Sequence, residues 1–194
     1  MNFTKKKFLL IDSSFKVIEQ TGWKNFTLEV LSKKKKIPLN EINEFLNSRT
    51  ELLKEFSNMI DMKVEDNIDF KDLENSNVKD NLFELIMLRL EIMQPYKQAL
   101  KKIVSDLKND ALSTKTISLK ILNSLDFYLD ISSAYNSSVF DILKKKAIFL
   151  IYGYVFMIWL NDSTQELSKT MSELDRLLSF SEKFTNELKN YTPF

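Results

Sequence analysis

The chain has 194 residues, a net charge of +1 at neutral pH, no cysteine and no histidine. These absences exclude a disulfide framework and a thiolate nucleophile, and they remove the commonest general base and transition-metal ligand. Only two glycines and three prolines occur, which is few for the turns of a β-sheet protein of this size, so an all-α fold is predicted. No signal peptide is visible at the N-terminus, so a cytoplasmic protein is the default expectation.

The small net charge conceals an uneven distribution. Residues 1–36 hold nine lysines and three acidic residues, whereas residues 37–72 hold nine acidic and four basic residues. A basic leading segment is suited to contact with nucleic-acid phosphates. The alternative is that these lysines are only solvated.

Apolar residues at helical spacing predict a first helix from Thr4 to about Gln20, and Gly22 is expected to end it. Thr27 is the predicted N-cap of a short second helix. That helix closes with four lysines, Lys33 to Lys36, where the helix dipole favours cations.

Two more helices are predicted directly after these lysines. Pro38 fits the first turn of a short third helix. Ser48 and Glu51 form a capping box for a longer fourth helix, in which the serine accepts from the first turn and the glutamate reaches back. The first 56 residues thus predict a long helix, two short helices joined by a tight turn, and another long helix.

This helix order resembles the DNA-binding domain of the tetracycline-repressor (TetR) family. The residues that carry the resemblance are Gly22, Thr27, the turn at 36–38 and the segment 45–53, FLNSRTELL. The resemblance implies that residues 39–44 lie in the major groove and that Thr27 and Arg49 contact phosphates. The predicted DNA-contacting residues are Thr27, Lys35, Lys36, Leu39, Asn40, Asn43 and Arg49.

The third helix departs from the family pattern. The tyrosine that is usual in the family falls at Asn43, and Glu41 and Glu44 place two negative charges where phosphates are expected. A glutamate can accept a hydrogen bond from a cytosine amino group, so base reading is still open. The alternative is a helix-turn-helix scaffold that no longer binds DNA.

The fourth helix is predicted to continue to about Phe70, and its far end is acidic. Its carboxylates indicate either a metal site or, in the favoured interpretation, a solvated face; they are Asp61, Glu65, Asp66, Asp69 and Asp72. A polar break follows at residues 74–77. The predicted organisation is a helix-turn-helix domain at 1–56 and a helical ligand-binding and dimerisation domain at 57–194.

Five further helices are predicted in the C-terminal half, which gives a nine-helix TetR-like fold. Their predicted starting points are Ser76, Pro95, Ser113 or Thr114, the turn at Ser137 and Ser138, and Asp162 or Ser163.

The eighth predicted helix contains the charge-free stretch AIFLIYGYVFMIWL, residues 147–160. It is shorter than the roughly 20 residues of a membrane span. A helix that is apolar on every side is normally buried inside a larger helical protein. We therefore predict that the eighth and ninth helices pair with those of a second subunit in a homodimer.

Short motifs in this half are similar to the regulatory domains of a TetR-like subgroup and to the lipid-binding accessory family of ubiquinone biosynthesis, which shares the TetR fold. They lie at residues 89–96, 159–163, 170–171 and 174–178. Residues 135–140 lack the aspartate and aromatic-rich segment associated with the ubiquinone family, which favours the regulator subgroup.

The preferred prediction is a dimeric transcriptional regulator, by its resemblance a repressor, that binds palindromic duplex DNA and senses an apolar or aromatic small molecule. The alternative is a lipid- or isoprenoid-binding protein that does not bind DNA. The predicted ligand-binding residues, for each of which ordinary core packing is the alternative, are Phe83, Met87, Met93, Phe127, Tyr128, Tyr152 and Phe156. No catalytic constellation, cofactor or metal is predicted.

Overall fold

The computed structural model describes residues 3–107, 110–136 and 140–191. Within these ranges the chain is helical and has no β-strand, so the predicted all-α fold is confirmed. The α-helices are α1 (Phe3–Thr21), α2 (Leu28–Lys35), α3 (Leu39–Asn43), α4 (Arg49–Glu65), α5 (Phe70–Asn75), α6 (Val78–Ile92), α7 (Lys97–Leu107), α8 (Ala111–Ile131), α9 (Asp141–Asn161) and α10 (Ser168–Tyr191). Short 3-10 turns at Gln94–Tyr96 and Gln165–Leu167 precede α7 and α10.

The tenth helix is α5, which the sequence pattern does not predict, because that pattern extends the fourth helix to about Phe70. α4 ends at Glu65, and Asp69 starts the separate helix α5 by accepting hydrogen bonds from the backbone N–H groups of Lys71 and Asp72. One of the acidic residues in this region is therefore a helix cap. Among the described residues, no three Asp or Glu side chains lie close enough together to hold a metal ion.

Most other helix boundaries follow local signals. Gly22 ends α1 with φ +78°, a left-handed conformation that glycine adopts without steric cost. α8 begins earlier than predicted, because Asp110 accepts a hydrogen bond from the N–H of Ser113 and caps the first turn. The predicted turn at Ser137 and Ser138 lies outside the described residues.

The chain forms two compact units. The first comprises Met1–Lys63 and Met93–Ile121, and the second comprises Val64–Ile92 and Leu122–Phe194. These units differ from the predicted segments 1–56 and 57–194, because α7 and the first half of α8 pack with the N-terminal helices. The functional division at residue 56 remains a prediction.

An aromatic cluster lies at the centre of the first unit. Phe15 and Phe56 stack with their ring centroids 4.1 Å apart, and Tyr96 meets both rings edge-on at 5.3 Å and 5.0 Å. The Tyr96 hydroxyl donates to Asp12 at 2.6 Å. This cluster joins α1, α4 and the 3-10 turn before α7 into one core.

In the second unit, Asp162 organises the connection between α9 and α10. Its carboxylate is buried and accepts hydrogen bonds from the backbone N–H and hydroxyl groups of both Thr164 and Thr170. Burial alone would raise the pKa of Asp162, but these hydrogen bonds outweigh burial and hold the pKa well below its usual value. Across the described ranges, none of the helices has both the length and the apolar character needed to span a membrane.

We predict that Asp162→Ala lowers the free energy of unfolding by about 2–3 kcal/mol, because it leaves the buried Thr170 donors without their acceptor. Since the pKa of Asp162 is lowered on folding, its contribution is present above the unfolded pKa of about 4 and is lost as the pH falls. Urea unfolding at pH 7 and pH 3 measures both effects. Asp130→Ala, which removes an exposed carboxylate, should change stability by less than about 0.5 kcal/mol. An equal loss of stability in both variants would contradict the role of Asp162 as a stabilising hydrogen-bond acceptor.

Candidate functional site

The first candidate site is the pair of short helices α2 and α3. The Thr27 side chain accepts a hydrogen bond from the N–H of Val30 at 3.2 Å, so it is the N-cap of α2 as predicted. Lys36 adopts a left-handed conformation, with φ 54°, and its N–H donates to the carbonyl of Ser32. The Ser32 hydroxyl donates to the carbonyl of Ile37 at 2.7 Å. These bonds close the tight turn between the two helices.

α3 presents its polar positions to solvent. Ile42 is fully buried and holds the helix on the core, while Leu39, Asn40 and Asn43 are exposed, as are Glu41 and Glu44. The structure thus brings the predicted base-contacting residues together on one exposed helix. None of the residues of α3 is basic, and two are acidic if the helix cap Glu44 is included.

The basic residues of this site lie on α2 and at the start of α4. Lys33, Lys34 and Lys36 are exposed and Lys35 is half-buried. Lys34 donates to the Gln20 side chain at 3.2 Å, while Thr27 remains exposed beside the first turn of α2.

Arg49, the predicted phosphate contact on α4, is engaged within its own chain. Its Nη2 lies 2.8 Å from Oδ2 of Asp110, and its guanidinium lies 5.3 Å from the ring centroid of the buried Trp23. The N–H of Ser113 lowers the pKa of Asp110 most, and the Ser113 hydroxyl and Arg49 lower it further against the effect of burial. Sequence reasoning missed this ion pair, since Asp110 lies 61 residues away in the chain.

The capping box that positions Arg49 is present in a modified form. Ser48 accepts from the N–H of Glu51 at 3.1 Å, as predicted. The Glu51 carboxylate accepts from the N–H of Asn47 at 2.8 Å, one residue earlier than in the usual box. The side chains of Ser48 and Glu51 thus accept hydrogen bonds from two backbone N–H groups and hold the start of α4 in place.

The second candidate site is the set of seven predicted ligand-binding residues. Tyr128 and Tyr152 are buried, and their hydroxyls accept hydrogen bonds from Nη1 and Nε of the buried Arg89, each at 3.3 Å. Met87 is also buried, while Phe83, Phe127 and Phe156 are half-buried. Met93 belongs to the first compact unit, where it too is buried.

The partners of the buried Arg89 are the feature of this region that the sequence did not reveal. A buried guanidinium requires hydrogen-bond acceptors, because its transfer from water to a protein core is costly. The two tyrosine hydroxyls help to supply them. The tyrosines thus serve as partners of a buried charge in this conformation, and their role in ligand binding remains a prediction.

A cavity of about 320 Å³ lies elsewhere in the second unit, between α6, the end of α8, α9 and α10. Its apolar walls are formed by Val78, Leu82, Leu129, Ile148, Ile151 and Leu178. Lys79, Lys144 and Glu182 are among the polar residues at its edge. None of the seven predicted ligand-binding residues lines it. The sequence pattern does not predict this cavity, because its shape depends on how the side chains of four helices pack together.

The third candidate site is the outer face of α9. Ile148, Tyr152, Val155 and Trp159 are buried along one side of the helix. The opposite side exposes large apolar residues, which are Leu143, Leu150, Tyr154 and Met157. On α10, Phe180 and Phe184 are exposed and stack with their ring centroids 6.4 Å apart. Large exposed apolar side chains on two helices that pack together are typical of an interaction site.

Among the solved structures that are similar to this chain are two described as TetR-family transcriptional regulators. A TetR transcriptional regulator from Nitrosomonas europaea ATCC 19718 matches with a TM-score of 0.73 and 14% identity, over 90% of this chain and 96% of that chain. A putative TetR-family transcriptional regulator from Mesorhizobium loti MAFF303099 matches with a TM-score of 0.58 and 10% identity, over 92% of this chain and 96% of that chain. Neither a protein-family model nor a curated protein matches the sequence. The chain therefore has the fold of TetR-family regulators, as the resemblance implied.

We predict that Tyr152→Phe lowers the free energy of unfolding by about 1–2 kcal/mol, because it removes an acceptor from the buried Arg89. Ser76→Ala is the control: it removes a hydroxyl from an exposed residue between α5 and α6 of the same unit, and it should have almost no effect. Urea unfolding of the two variants gives the comparison. Equal stability of the two variants would show that the hydrogen bond from Arg89 does not stabilise the fold.

Proposed function

We propose that this protein is a transcriptional regulator that binds palindromic duplex DNA as a homodimer and responds to an apolar or aromatic small molecule. The observation that carries the proposal is the exposed helix α3 behind the tight turn at Ser32–Ile37, in a chain with the TetR fold. The proposal includes no enzymatic activity and no cofactor.

The exposed side chains of α3 are chemically suited to reading base edges. Asn40 and Asn43 can each form two hydrogen bonds with adenine, and Leu39 can contact a thymine methyl group. Glu41 and Glu44 can accept from cytosine amino groups. Because these acids also repel phosphates, α3 cannot supply the electrostatic part of the affinity.

Residues before and after α3 would supply this electrostatic attraction to DNA. Lys35, Lys36 and the neighbouring exposed lysines of α2 provide positive charge, and Thr27 provides a hydroxyl. Arg49 provides a guanidinium at the first turn of α4. In this arrangement α3 determines the sequence preference, while residues of α2 and α4 bind the phosphate backbone of the DNA.

The exposed apolar sides of α9 and α10 support pairing with a second copy of the chain. Leu150 and Tyr154 would be buried in such a dimer, together with Phe180 and Phe184 of α10. A two-fold symmetric dimer presents two copies of α3, so the operator would be a palindrome with half-sites about one helical turn apart.

We propose that the ligand binds either among the six predicted residues that belong to the second unit or in the cavity between α6, α8, α9 and α10. A ligand acts by binding one arrangement of the helices more tightly than another and so changing DNA affinity. The apolar walls of the cavity suit an apolar molecule. The comparisons give no support to the alternative of an accessory protein of ubiquinone biosynthesis.

Selection from random duplex DNA by the purified protein tests the proposal. We expect recovery of a palindrome with half-sites about 10 base pairs apart. Recovery of no enriched sequence, with no affinity for mixed-sequence duplex at low salt, would exclude the proposed DNA binding.

Two triple variants identify the phosphate-contacting surface on the recovered duplex. Replacement of Lys33, Lys34 and Lys36 by alanine should weaken binding and reduce the salt slope by about 0.9 for each phosphate that is no longer neutralised. Replacement of the exposed lysines Lys71, Lys169 and Lys183 by alanine removes the same charge and should leave the slope unchanged. Equal slopes in the two variants would mean that the α2 lysines are only solvated.

We predict that Leu150→Glu converts the dimer to a monomer, because it places a charge on the proposed apolar interface, where Leu150 is 71% exposed in the single chain. Leu119→Glu is the control, since Leu119 is an exposed leucine on α8 rather than on α9 or α10. Sedimentation equilibrium at micromolar concentration distinguishes the states. A monomeric unaltered protein, or a dimer that tolerates Leu150→Glu, would contradict this interface.

A further inference from the structure

Within the first unit, Asp110 is held in place by more than its ion pair with Arg49. Oδ1 of Asp110 accepts from the N–H of Ser113 at 3.0 Å, and Oδ2 accepts from the Ser113 hydroxyl at 3.0 Å. The side chain of Asp110 is 16% exposed. These bonds keep the carboxylate at the start of α8 whether or not Arg49 is bound to it.

Arg49 is less constrained. Its side chain is 40% exposed, and it reaches Asp110 through Nη2 at 2.8 Å. The buried Trp23 lies beneath the guanidinium at 5.3 Å and supports it at the surface through its ring face. A guanidinium has five N–H donors arranged to match the oxygens of a carboxylate or a phosphate. Arg49 can therefore exchange one anion for another without leaving Trp23.

The exchange has a small energetic cost. An ion pair with this much solvent exposure contributes little to stability, and a DNA phosphate offers the same charge as the carboxylate. While Asp110 holds Arg49, however, the pair has no net charge, and Arg49 adds nothing to the electrostatic attraction that dominates DNA binding.

We propose that Asp110 limits the DNA affinity of this protein by competing with a backbone phosphate for Arg49. This inference rests on the proposed DNA-binding function and on the predicted phosphate contact of Arg49. In the absence of DNA, Arg49 is paired with Asp110 across the surface of Trp23. On binding, the phosphate takes the guanidinium, and Asp110 stays bonded to Ser113. Asp110 is thus an affinity-determining residue that need not touch the nucleic acid.

Asp110→Asn tests this competition, because asparagine keeps an oxygen for the Ser113 N–H and removes the charge that binds Arg49. The probe is a mixed-sequence duplex of about 30 base pairs, since phosphate contacts do not depend on sequence. We expect Asp110→Asn to bind at least about threefold tighter at low salt, because its Arg49 does not have to leave a carboxylate; the salt slope should stay the same, since Arg49 neutralises the same phosphate in both complexes. Asp110→Ser, which also provides a helix cap without charge, should reproduce the gain if Asp110→Asn folds poorly.

Two controls separate competition from a general charge effect. Asp106→Asn removes the same charge from a carboxylate of the first unit that binds the N–H of Lys24 rather than Arg49. It should leave the affinity unchanged. In an Arg49→Gln background, the Asp110→Asn change should give no gain in affinity.

The outcomes distinguish this inference from the proposed function. If the unaltered protein binds the duplex and Asp110→Asn matches Asp106→Asn, or keeps its gain without Arg49, the inference is overturned while DNA binding stands. If neither the unaltered protein nor any variant binds duplex DNA at low salt, the proposed function fails, and the inference fails with it.

Discussion

The second unit is built around α9, a helix that is apolar on two opposite sides, of which the fold of a single chain buries only one. Its inner side packs Ile148, Val155 and Trp159 into the core. On the same side, Tyr152 provides a hydroxyl to the buried Arg89, and Tyr128 of α8 provides another. The outer side can be removed from water only by another surface. The proposed dimer would bury the outer side of α9 without any change in the fold of the single chain.

The buried polar groups of this unit fix how its helices meet. Arg89 of α6 joins α8 and α9 through two tyrosine hydroxyls, and Asp162 joins the end of α9 to the first turn of α10. Apolar packing alone tolerates small shifts between helices, whereas a buried charge must keep its partners. These hydrogen bonds therefore restrict the arrangements that a ligand could favour.

In the first unit, the same residues serve stability and the proposed recognition of DNA. The Ser32 hydroxyl closes the turn that presents α3, and Ser48 and Glu51 order the first turn of α4. In the proposed DNA complex, α2 and Arg49 would supply the electrostatic attraction, because α3 has no basic residue. The ion pair between Arg49 and Asp110 matters for this proposal, because it engages one of the cations that would bind DNA phosphates.

Local sequence signals are sufficient for most of the fold. Gly22 ends α1, Thr27 caps α2, and the spacing of Ile11, Phe15 and Ile18 places the buried side of α1, because caps and helical periodicity act over a few residues. The same signals fail after Glu65, where the pattern predicts that the fourth helix continues to about Phe70, whereas Asp69 instead caps a separate helix.

Some features of the candidate sites also follow from local sequence, whereas others depend on the tertiary structure. By itself, the sequence determined the all-α class, the exposed positions on α3 and the unbroken apolar character of α9, since each follows from residue type and helical period. Only the tertiary structure decided that Arg49 binds Asp110, that Arg89 meets Tyr128 and Tyr152, and where the cavity lies. These features join residues that are far apart in the chain, and which side chains meet depends on how the helices pack rather than on any local pattern.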